Sequence, residues 1–529
     1  MTCSKIFSGD LPELTYEIIK YFKNDSSTLH SCILVNRLWC RLAIPLLWEN
    51  PFSMITEKYN FIEIYLCKLN GDLKSKLNEY NINDYLFPSN TLLFNYPSFL
   101  KYLCTWRITS SIERWTKNII RTLKLENKYV LQDLDLVIKF KKLIHMSLIK
   151  IFIENGANLH TLDIEVSYYC DYDSYLDGVL ELMLQNPNFF CNIRNLKLYF
   201  IDSSLSRIKS HISQIINLHR NLKKIVLGYD SFPLYQSLSL SEDYNYSNTL
   251  NTIILYYVSF KGINNLDKVF EQLNGLESVH IIYCCLNTSF IQQIINLTKP
   301  FKLKTLFLNG SSQISKLLQL LLQKYGVYLE NFGFGFCRDL LFKQQLLESI
   351  TRYCKNVKFL DLNIFENKNI HLVFNLIEKL NQNLYHLSIN VGQIDSSSDH
   401  IESSSIILRN LGQLLPLQLD YLSLTLNINT KDFEIFLENS QNTFINKLLI
   451  NNRGGHGILS CIKECVKKKQ RIKNLAIIEN SLEVGYENKD LFTLKDEVKK
   501  FESYDIRVQR YNNLVVCTNY DINFTRELD

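Results

Sequence analysis

Leu303-Lys-Thr-Leu306-Phe-Leu308 has apolar residues at positions one, four and six, and this six-residue pattern recurs along most of the chain. It begins at positions 159, 193, 222, 250, 276, 303, 329, 357, 384, 419, 445 and 472. Successive starts are 26 to 29 residues apart, except for steps of 34 after position 159 and 35 after position 384. One match arises easily by chance in an apolar chain, whereas twelve at a nearly fixed spacing indicate a structural repeat.

The spacing suits one strand and one helix in each repeat. The last two apolar positions of the motif alternate with another residue, as in a strand with one buried face. Between motifs, residues 314–325 carry apolar side chains at 314, 317, 318, 321 and 322, which predicts an amphipathic helix. Because a lone strand–helix pair buries too little apolar surface to fold, repeats of this kind must stack. The sequence therefore predicts an α/β solenoid.

The composition narrows the function classes. The chain has 529 residues, of which 46% are hydrophobic and 21% charged, and its net charge of +5 is too small to indicate nucleic-acid binding. Gly (17) and Pro (9) are scarce, which favours an ordered chain. Residues 1–10 do not resemble a signal peptide, and no apolar run reaches the roughly 18 residues that span a membrane. With 14 cysteines in such a chain, we expect reduced thiols and a cytoplasmic or nuclear location, or both.

Cysteines give the repeat a more specific character. Cys284 and Cys337 take the ninth position of their strand motifs, and Cys354 ends the helical stretch before the motif that starts at Val357. These details resemble the cysteine-containing leucine-rich repeats of F-box proteins. The resemblance implies a leucine-rich-repeat solenoid with a horseshoe shape.

The N-terminal stretch from Asp10 to Phe52 predicts three short helices. It begins with Leu11-Pro12 and contains Val35-Asn-Arg-Leu-Trp39, and these residues resemble the F-box, although Leu14 stands where the family has Glu. Pro12 suits the first turn of the first helix, and Ser26, Ser27 or Thr28 can be the N-cap of the second helix. Pro45 suits the start of the third helix or a kink. The resemblance implies that this module binds a Skp-type linker protein through Leu11, Pro12, Ile19, Phe22, Leu29, Val35 and Trp39.

Through that linker, the resemblance implies attachment to a cullin–RING ubiquitin ligase. The chain would then be a non-catalytic substrate-recognition adaptor of an SCF-type ligase. Two other readings stay open. The N-terminal helices could be a cap of a leucine-rich-repeat scaffold or inhibitor with no ligase link, or the solenoid could associate with nucleic acid, which a strongly salt-dependent affinity for RNA would reveal.

The substrate, an unidentified protein, is expected on the concave face. In a leucine-rich-repeat horseshoe, this face is lined by the strand residues that alternate with the buried ones. An apolar, aromatic strip there favours a protein partner over nucleic acid. The predicted substrate-binding residues are Tyr199, Val226, Ile254, Tyr256, His280, Ile282, Phe307, Phe359 and Tyr421.

The predicted organisation has four parts. Residues 8–52 form the F-box-like domain, 53–158 a helical linker with degenerate first repeats, 159–510 the solenoid and 511–529 a C-terminal cap or tail. Leu100 to Leu103 are expected to form an earlier strand, and Phe501, Tyr504 and Ile506 a last degenerate one.

No motif indicates catalysis, a cofactor or a metal site. The stretch from Asn451 to Gly457 is rich in glycine but lacks the lysine and hydroxyl of a phosphate-binding loop, so it is interpreted as a turn. Residues 395–405 are a polar, serine-rich run that is interpreted as a surface loop. Residues 467–471 are a basic run that is interpreted as a solvated helix end, with a nuclear signal as the alternative.

Overall fold

The structure is a computed structural model, in which the chain divides into two compact units, residues 1–251 and 252–529. It describes residues 11–53, 61–80, 92–125, 133–166, 173–201, 206–218, 221–238, 248–309, 315–335, 339–364, 367–391, 399–454, 457–468, 471–479 and 489–516. Cys337 and the tail beyond residue 516 lie outside the described residues.

The described part of unit 1 starts with three short helices: α1 (Pro12–Lys20), α2 (Ser26–Ile33) and α3 (Arg37–Leu47). Pro12 stands in the first turn of α1, as predicted, where its missing N–H costs nothing. The N-cap of α2 is Asp25, whose carboxylate accepts the amide of Thr28, so the prediction of a serine or threonine cap was wrong. Pro45 lies inside α3, near its C-terminal end.

The rest of the described part of unit 1 combines helices with four strands, with two helices before β1 and two more between β1 and β2. Its elements are α4 (Phe61–Leu66), α5 (Gly71–Asn78), β1 (Tyr102–Cys104), α6 (Thr105–Leu125), α7 (Leu134–Glu154), β2 (Thr161–Val166), α8 (Asp173–Leu184), β3 (Asn195–Phe200), α9 (Ser206–Leu218) and β4 (Lys224–Tyr229). Strands β1 to β4 pair in parallel and in sequence order. The predicted early strand near Leu103 is therefore confirmed as β1.

Unit 2 continues the same alternation. Its elements are β5 (Thr252–Tyr256), α10 (Leu266–Gln272), β6 (Ser278–Cys284), α11 (Thr288–Ile295), β7 (Leu303–Leu308), α12 (Ser315–Tyr325), β8 (Asn331–Phe334), α13 (Leu340–Tyr353), β9 (Phe359–Ile364), α14 (Ile370–Leu380), β10 (His386–Val391), α15 (Asp399–Leu414), β11 (Gln418–Leu426), α16 (Thr430–Asn439), β12 (Phe444–Asn452), α17 (Leu459–Lys468), β13 (Ile472–Glu479), β14 (Lys489–Asp490), α18 (Lys495–Glu502), β15 (Arg507–Val508) and α19 (Tyr511–Leu514).

The strands of unit 2 form a mostly parallel sheet. Strands β5 to β13 pair in parallel with their sequence neighbours. On the far side of β13, β14 pairs antiparallel and β15 pairs parallel. Because crossovers between parallel strands are right-handed, successive helices fall on one face of each sheet. We call the other face the second face.

The repeat predicted from the sequence is confirmed at the level of strands and helices. All twelve motifs coincide with strands β2 to β13. Their first positions, such as Leu159, Leu222 and Leu329, are fully buried, and only Leu276 is half-buried. The predicted helix at 314–325 is α12. The resulting α/β architecture, in which mostly parallel strands alternate with helices, is compatible with a solenoid.

Two local predictions were wrong. Residues 399–405 start helix α15 instead of forming a loop, and residues 395–398 of the predicted loop lie outside the described residues. Ser404 is buried, and its hydroxyl donates to the carbonyl of His400 and accepts the amide of Asn427. Phe501 lies in α18, and the last strand among the described residues is β15, at Arg507–Val508.

Candidate protein-binding surfaces

The residues predicted to bind a linker protein fall into two groups. Ile19, Leu29 and Trp39 are buried and form the small core of the N-terminal helices. Leu11, Pro12 and Phe22 are half-buried, and Val35 is exposed. Only the second group is available to a partner, because a buried side chain contacts its own fold.

Further apolar side chains on these helices face solvent. Leu14 is 44% exposed, Tyr21 90%, Leu34 85% and Val35 48%. Exposed apolar residues that cluster on one small module are typical of an interaction surface. Tyr21 and Leu34 were missed by the sequence analysis, because the pattern that predicts a helix does not say which apolar residue remains uncovered.

The N-terminal helices are joined to the first strand of unit 1 by Glu49. Its backbone carbonyl accepts the amides of Lys101 and Tyr102, and its carboxylate contacts the ammonium groups of Lys23 and Lys101. Trp48 adds aromatic contacts to Tyr65, at 5.3 Å between ring centroids, and to Tyr96, at 4.4 Å. The module is therefore packed onto the repeats of unit 1 and is not suspended on a linker.

The predicted substrate-binding residues all lie in strands, and most are buried. Tyr199 and Val226 in unit 1, and Ile254, Tyr256, Ile282 and Phe307 in unit 2, have no appreciable exposed area, while His280 and Tyr421 retain only a few per cent. Phe359 is half-buried. Neighbouring aromatic rings cover part of this area: the Phe307 ring lies 5.6 Å from that of Phe359 and 5.8 Å from that of Tyr283. Contact with a partner stays a prediction for all nine.

One row of the second face crosses β6 to β11 in unit 2. In register order it consists of His280, Thr305, Asn331, Phe359, His386 and Tyr421. At its polar end, the Thr305 hydroxyl lies 2.7 Å from Nδ1 of His280 and accepts from the amide of Asn331 at 2.9 Å. These hydrogen bonds hold the three side chains in place and occupy donors and acceptors that a ligand would otherwise use.

At its aromatic end the row is a stack of rings. The His386 ring lies 3.7 Å from Phe359 and 3.9 Å from Tyr421, nearly parallel to both. Burial lowers the pKa of His386 well below its ordinary value, and Lys447 lowers it further, so the ring is neutral. Its Nε2 is buried and has no hydrogen-bond partner among the described residues. The sequence analysis named Phe359 and Tyr421 but missed His386 between them.

The C-terminal segment, residues 507–516, covers the last strands of this face. Leu514 packs in one cluster with Tyr421, Leu449 and Ala476 from three successive strands, and Tyr511, Val515 and Val516 complete it. Val516 donates its amide to the Tyr421 hydroxyl at 3.1 Å. A partner on the second face of unit 2 would therefore meet the C-terminal segment beside Tyr421 and the open edges of His386 and Phe359.

The cysteines predicted to mark the repeat are structural. The Cys284 thiol donates to the carbonyl of Leu255 and accepts the amide of Val258, both in the preceding repeat. Burial raises the pKa values of Cys284 and Cys354 to about 12, so neither is a thiolate at neutral pH. Among the described residues, no group of His, Cys, Asp or Glu side chains is arranged to hold a metal ion.

A cavity of about 320 Å³ opens on the helical side of unit 2, between α16 and α17. Cys461, Cys465, Glu434 and Arg471 are among its lining residues. Arg471 is buried and donates to the carbonyls of Leu437 and Ser440, the end of α16, so its role is to cap that helix. The interpretation of residues 467–471 as a solvated run was therefore wrong for Arg471.

Comparison with known proteins adds no identity. No family model matches the chain, and no curated protein matches it. In the part of the chain that the structure describes, none of the helices is both long and apolar enough to cross a membrane.

Proposed function

We propose that the chain is a non-catalytic adaptor whose N-terminal helices dock a Skp-type linker protein of an SCF-type ubiquitin ligase. The observation that carries the proposal is the apolar surface of these helices, where Tyr21, Leu34 and Val35 face solvent while Ile19, Leu29 and Trp39 hold the module together. Two stretches of these helices, Leu11-Pro12 and residues 35–39, resemble the F-box, and this resemblance is the reason for naming a Skp-type linker as the partner. Cullin–RING subunits would bind through that linker.

The second part of the proposal assigns a substrate protein to the second face of unit 2. The supporting features are the aromatic edges of Phe359 and His386, which stay partly exposed beside the C-terminal segment. Buried members of the predicted set, such as Ile282 and Phe307, would shape this face without touching the substrate. Catalysis would belong to other subunits, and the chain would contribute proximity.

The linker experiment is a binding assay with purified Skp-type linker protein. The test variant combines Tyr21→Ala, Leu34→Ala and Val35→Ala, and the matched control combines Leu134→Ala, Leu341→Ala and Leu417→Ala, which are also exposed apolar residues but lie elsewhere. We expect the test variant to bind at least about ten-fold more weakly, since exposed apolar anchors carry most interface energy. Failure of the intact chain to bind the linker would contradict the proposal.

The substrate experiment places a photo-crosslinking residue at one of two sites on β10. Ser388 lies on the second face, in register with Asp361 and Ser423, whereas Tyr385 is exposed just before the strand. Crosslinks to a partner from position 388, and not from 385, would support the assignment. Equal crosslinking from both positions would count against a specific site.

One observation favours a second candidate, a repeat scaffold with no ligase link. The Glu49 carbonyl joins the N-terminal helices to β1 with the same hydrogen bonds that join later repeats to one another, as expected of a cap. Two results together would support this reading: deletion of residues 11–48 lowers the free energy of unfolding of unit 1, and the intact chain binds no linker protein.

A further inference from the structure

A chain of backbone hydrogen bonds aligns four residues along one edge of unit 1. The carbonyl of Lys101 accepts the amides of His160 and Thr161, that of His160 accepts Arg194 and Asn195, and that of Arg194 accepts Lys223 and Lys224. Lys101, His160, Arg194 and Lys223 therefore stand at the start of four successive strands. We call these four residues the strand-start edge.

The edge places its side chains at regular intervals. Hydrogen-bonded strands lie about 4.8 Å apart, so the four residues extend over about 15 Å. The side chains interact electrostatically. Burial lowers the pKa of His160, and the positive charges of Lys101 and Arg194 lower it further. Lys101, Arg194 and Lys223 thus form a line of cations around a neutral imidazole.

This positive charge is compensated at one end. Glu49 contacts both Lys23 and Lys101, so the negative charge of Glu49 offsets one of the two positive charges and the group is left with a single net positive charge. Arg194 and Lys223 are exposed, and neither forms an ion pair with an acidic side chain in the described part of the chain. The far end of the edge therefore carries two adjacent, solvated cations.

The repeat fold does not require this excess. At the corresponding edge of unit 2, Glu330 stands between Lys304 and Lys358 and contacts both, and its carbonyl accepts the amide of Lys358. Two strands further along the chain from Lys358 stands Asp420, whose carboxylate accepts the amide of Asn446 at 2.6 Å. At these positions in unit 2, acidic residues stand among the basic ones and compensate their charge. In unit 1, the cations Arg194 and Lys223 stand on successive strands with no acidic residue between them at this edge.

We propose that the strand-start edge binds an acidic peptide segment of a partner protein. Arg194 suits a carboxylate because its guanidinium can donate two parallel hydrogen bonds, and Lys223 and Lys101 add point charges on either side. An extended peptide of about five residues covers about 15 Å, so it can bring two or three carboxylates to this row. A nucleic acid is the poorer match, since its binding requires a longer basic groove that neutralises many phosphates.

The experiment measures binding of a fluorescein-labelled ten-residue peptide of alternating Glu and Ser to the full chain. The test variant is Arg194→Ala with Lys223→Ala, and the control is Lys316→Ala with Lys355→Ala, which removes the same charge from exposed positions in unit 2. We expect about five-fold weaker binding for the test variant and no change for the control, since exposed ion pairs contribute modestly. Binding should weaken as salt rises from 50 to about 300 mM.

A second variant tests for gain of binding. Glu49→Gln keeps the side-chain shape but removes the acid that holds Lys23 and Lys101, so we expect the peptide to bind more tightly. Equal losses in the test and control variants would overturn the proposal, because net charge alone would then explain binding. Tighter binding of a ten-nucleotide oligouridylate than of the acidic peptide would also overturn it. Neither result depends on whether the N-terminal helices bind a linker protein.

Discussion

The backbone amide of Val516 donates a 3.1 Å hydrogen bond to the hydroxyl of Tyr421, 95 residues earlier in the chain. The same tyrosine stacks on His386, which stacks on Phe359. The C-terminal segment and the aromatic row are therefore one assembly on the second face of unit 2. Any partner that binds this face must accommodate the segment or displace it.

Removing the Tyr421 hydroxyl should loosen the C-terminal segment. We expect Tyr421→Phe to reduce the free energy of local unfolding of residues 509–516 by about 1 kcal/mol, the net contribution of one hydrogen bond. Hydrogen exchange at the Val516 amide measures this. Tyr385→Phe, on an exposed tyrosine, is the control. Unchanged exchange at Val516 in Tyr421→Phe would show that the Tyr421 hydroxyl does not help to hold the segment.

Gly333 should resist enlargement. It lies between Phe307 and Asp361 on neighbouring strands, and a Cβ there would approach the Phe307 ring to 2.6 Å and the Asp361 carbonyl oxygen to 2.9 Å. We expect Gly333→Ala to destabilise the fold by about 1–3 kcal/mol, the usual cost of overpacking. Urea unfolding measures it. Gly457→Ala, where a Cβ meets nothing within 4 Å, is the control. Equal midpoints for the two variants would contradict the expected clash.

Buried His145 should make the stability of unit 1 depend on pH. Burial lowers its pKa from 6.5 to about 3, so at mildly acidic pH the unfolded chain binds a proton that the folded chain refuses. The free energy of unfolding is therefore not reduced by His145 above pH 6.5, and it falls as the pH drops from 6.5 toward 3, because protonation of His145 stabilises only the unfolded chain. Between pH 7.5 and 5.0 the loss is about 2 kcal/mol.

The measurement compares urea unfolding of the natural chain and of His145→Leu at those two pH values. The variant should lose about 2 kcal/mol less on acidification. His371→Leu removes an exposed histidine and should behave as the natural chain does. An identical pH dependence in all three proteins would show that His145 is not the group responsible.

Replacing Arg471 should weaken the end of α16. Its guanidinium donates to the carbonyls of Leu437 and Ser440, and Arg471→Met leaves these acceptors buried without that donor. We expect a loss of about 2 kcal/mol in the free energy of unfolding, measured in urea. The control, Lys467→Met, removes an exposed lysine and should change it by less than about 0.5 kcal/mol. A similar effect of both changes would contradict the capping role.

Much of the fold was predictable because it is periodic. The twelve motifs determined twelve strands, and the intervening apolar spacing determined helices such as α12, since both patterns follow from local geometry. The site was less predictable. Tyr421 and Phe359 could be assigned to the second face by alternation, but alternation does not show that His386 links them or that Tyr256 and Ile282 are buried.

The sequence by itself determined the repeat, its strand positions and the helical N-terminal module, because each depends on residues close together in the chain. The tertiary structure alone decided which of those residues remain exposed. Buried Ser404 accepts a hydrogen bond from Asn427, buried Arg471 donates to carbonyls at the end of α16, and Tyr421 is covered by the segment that contains Val516. These contacts join residues that are distant in sequence, and no local pattern of polarity specifies them.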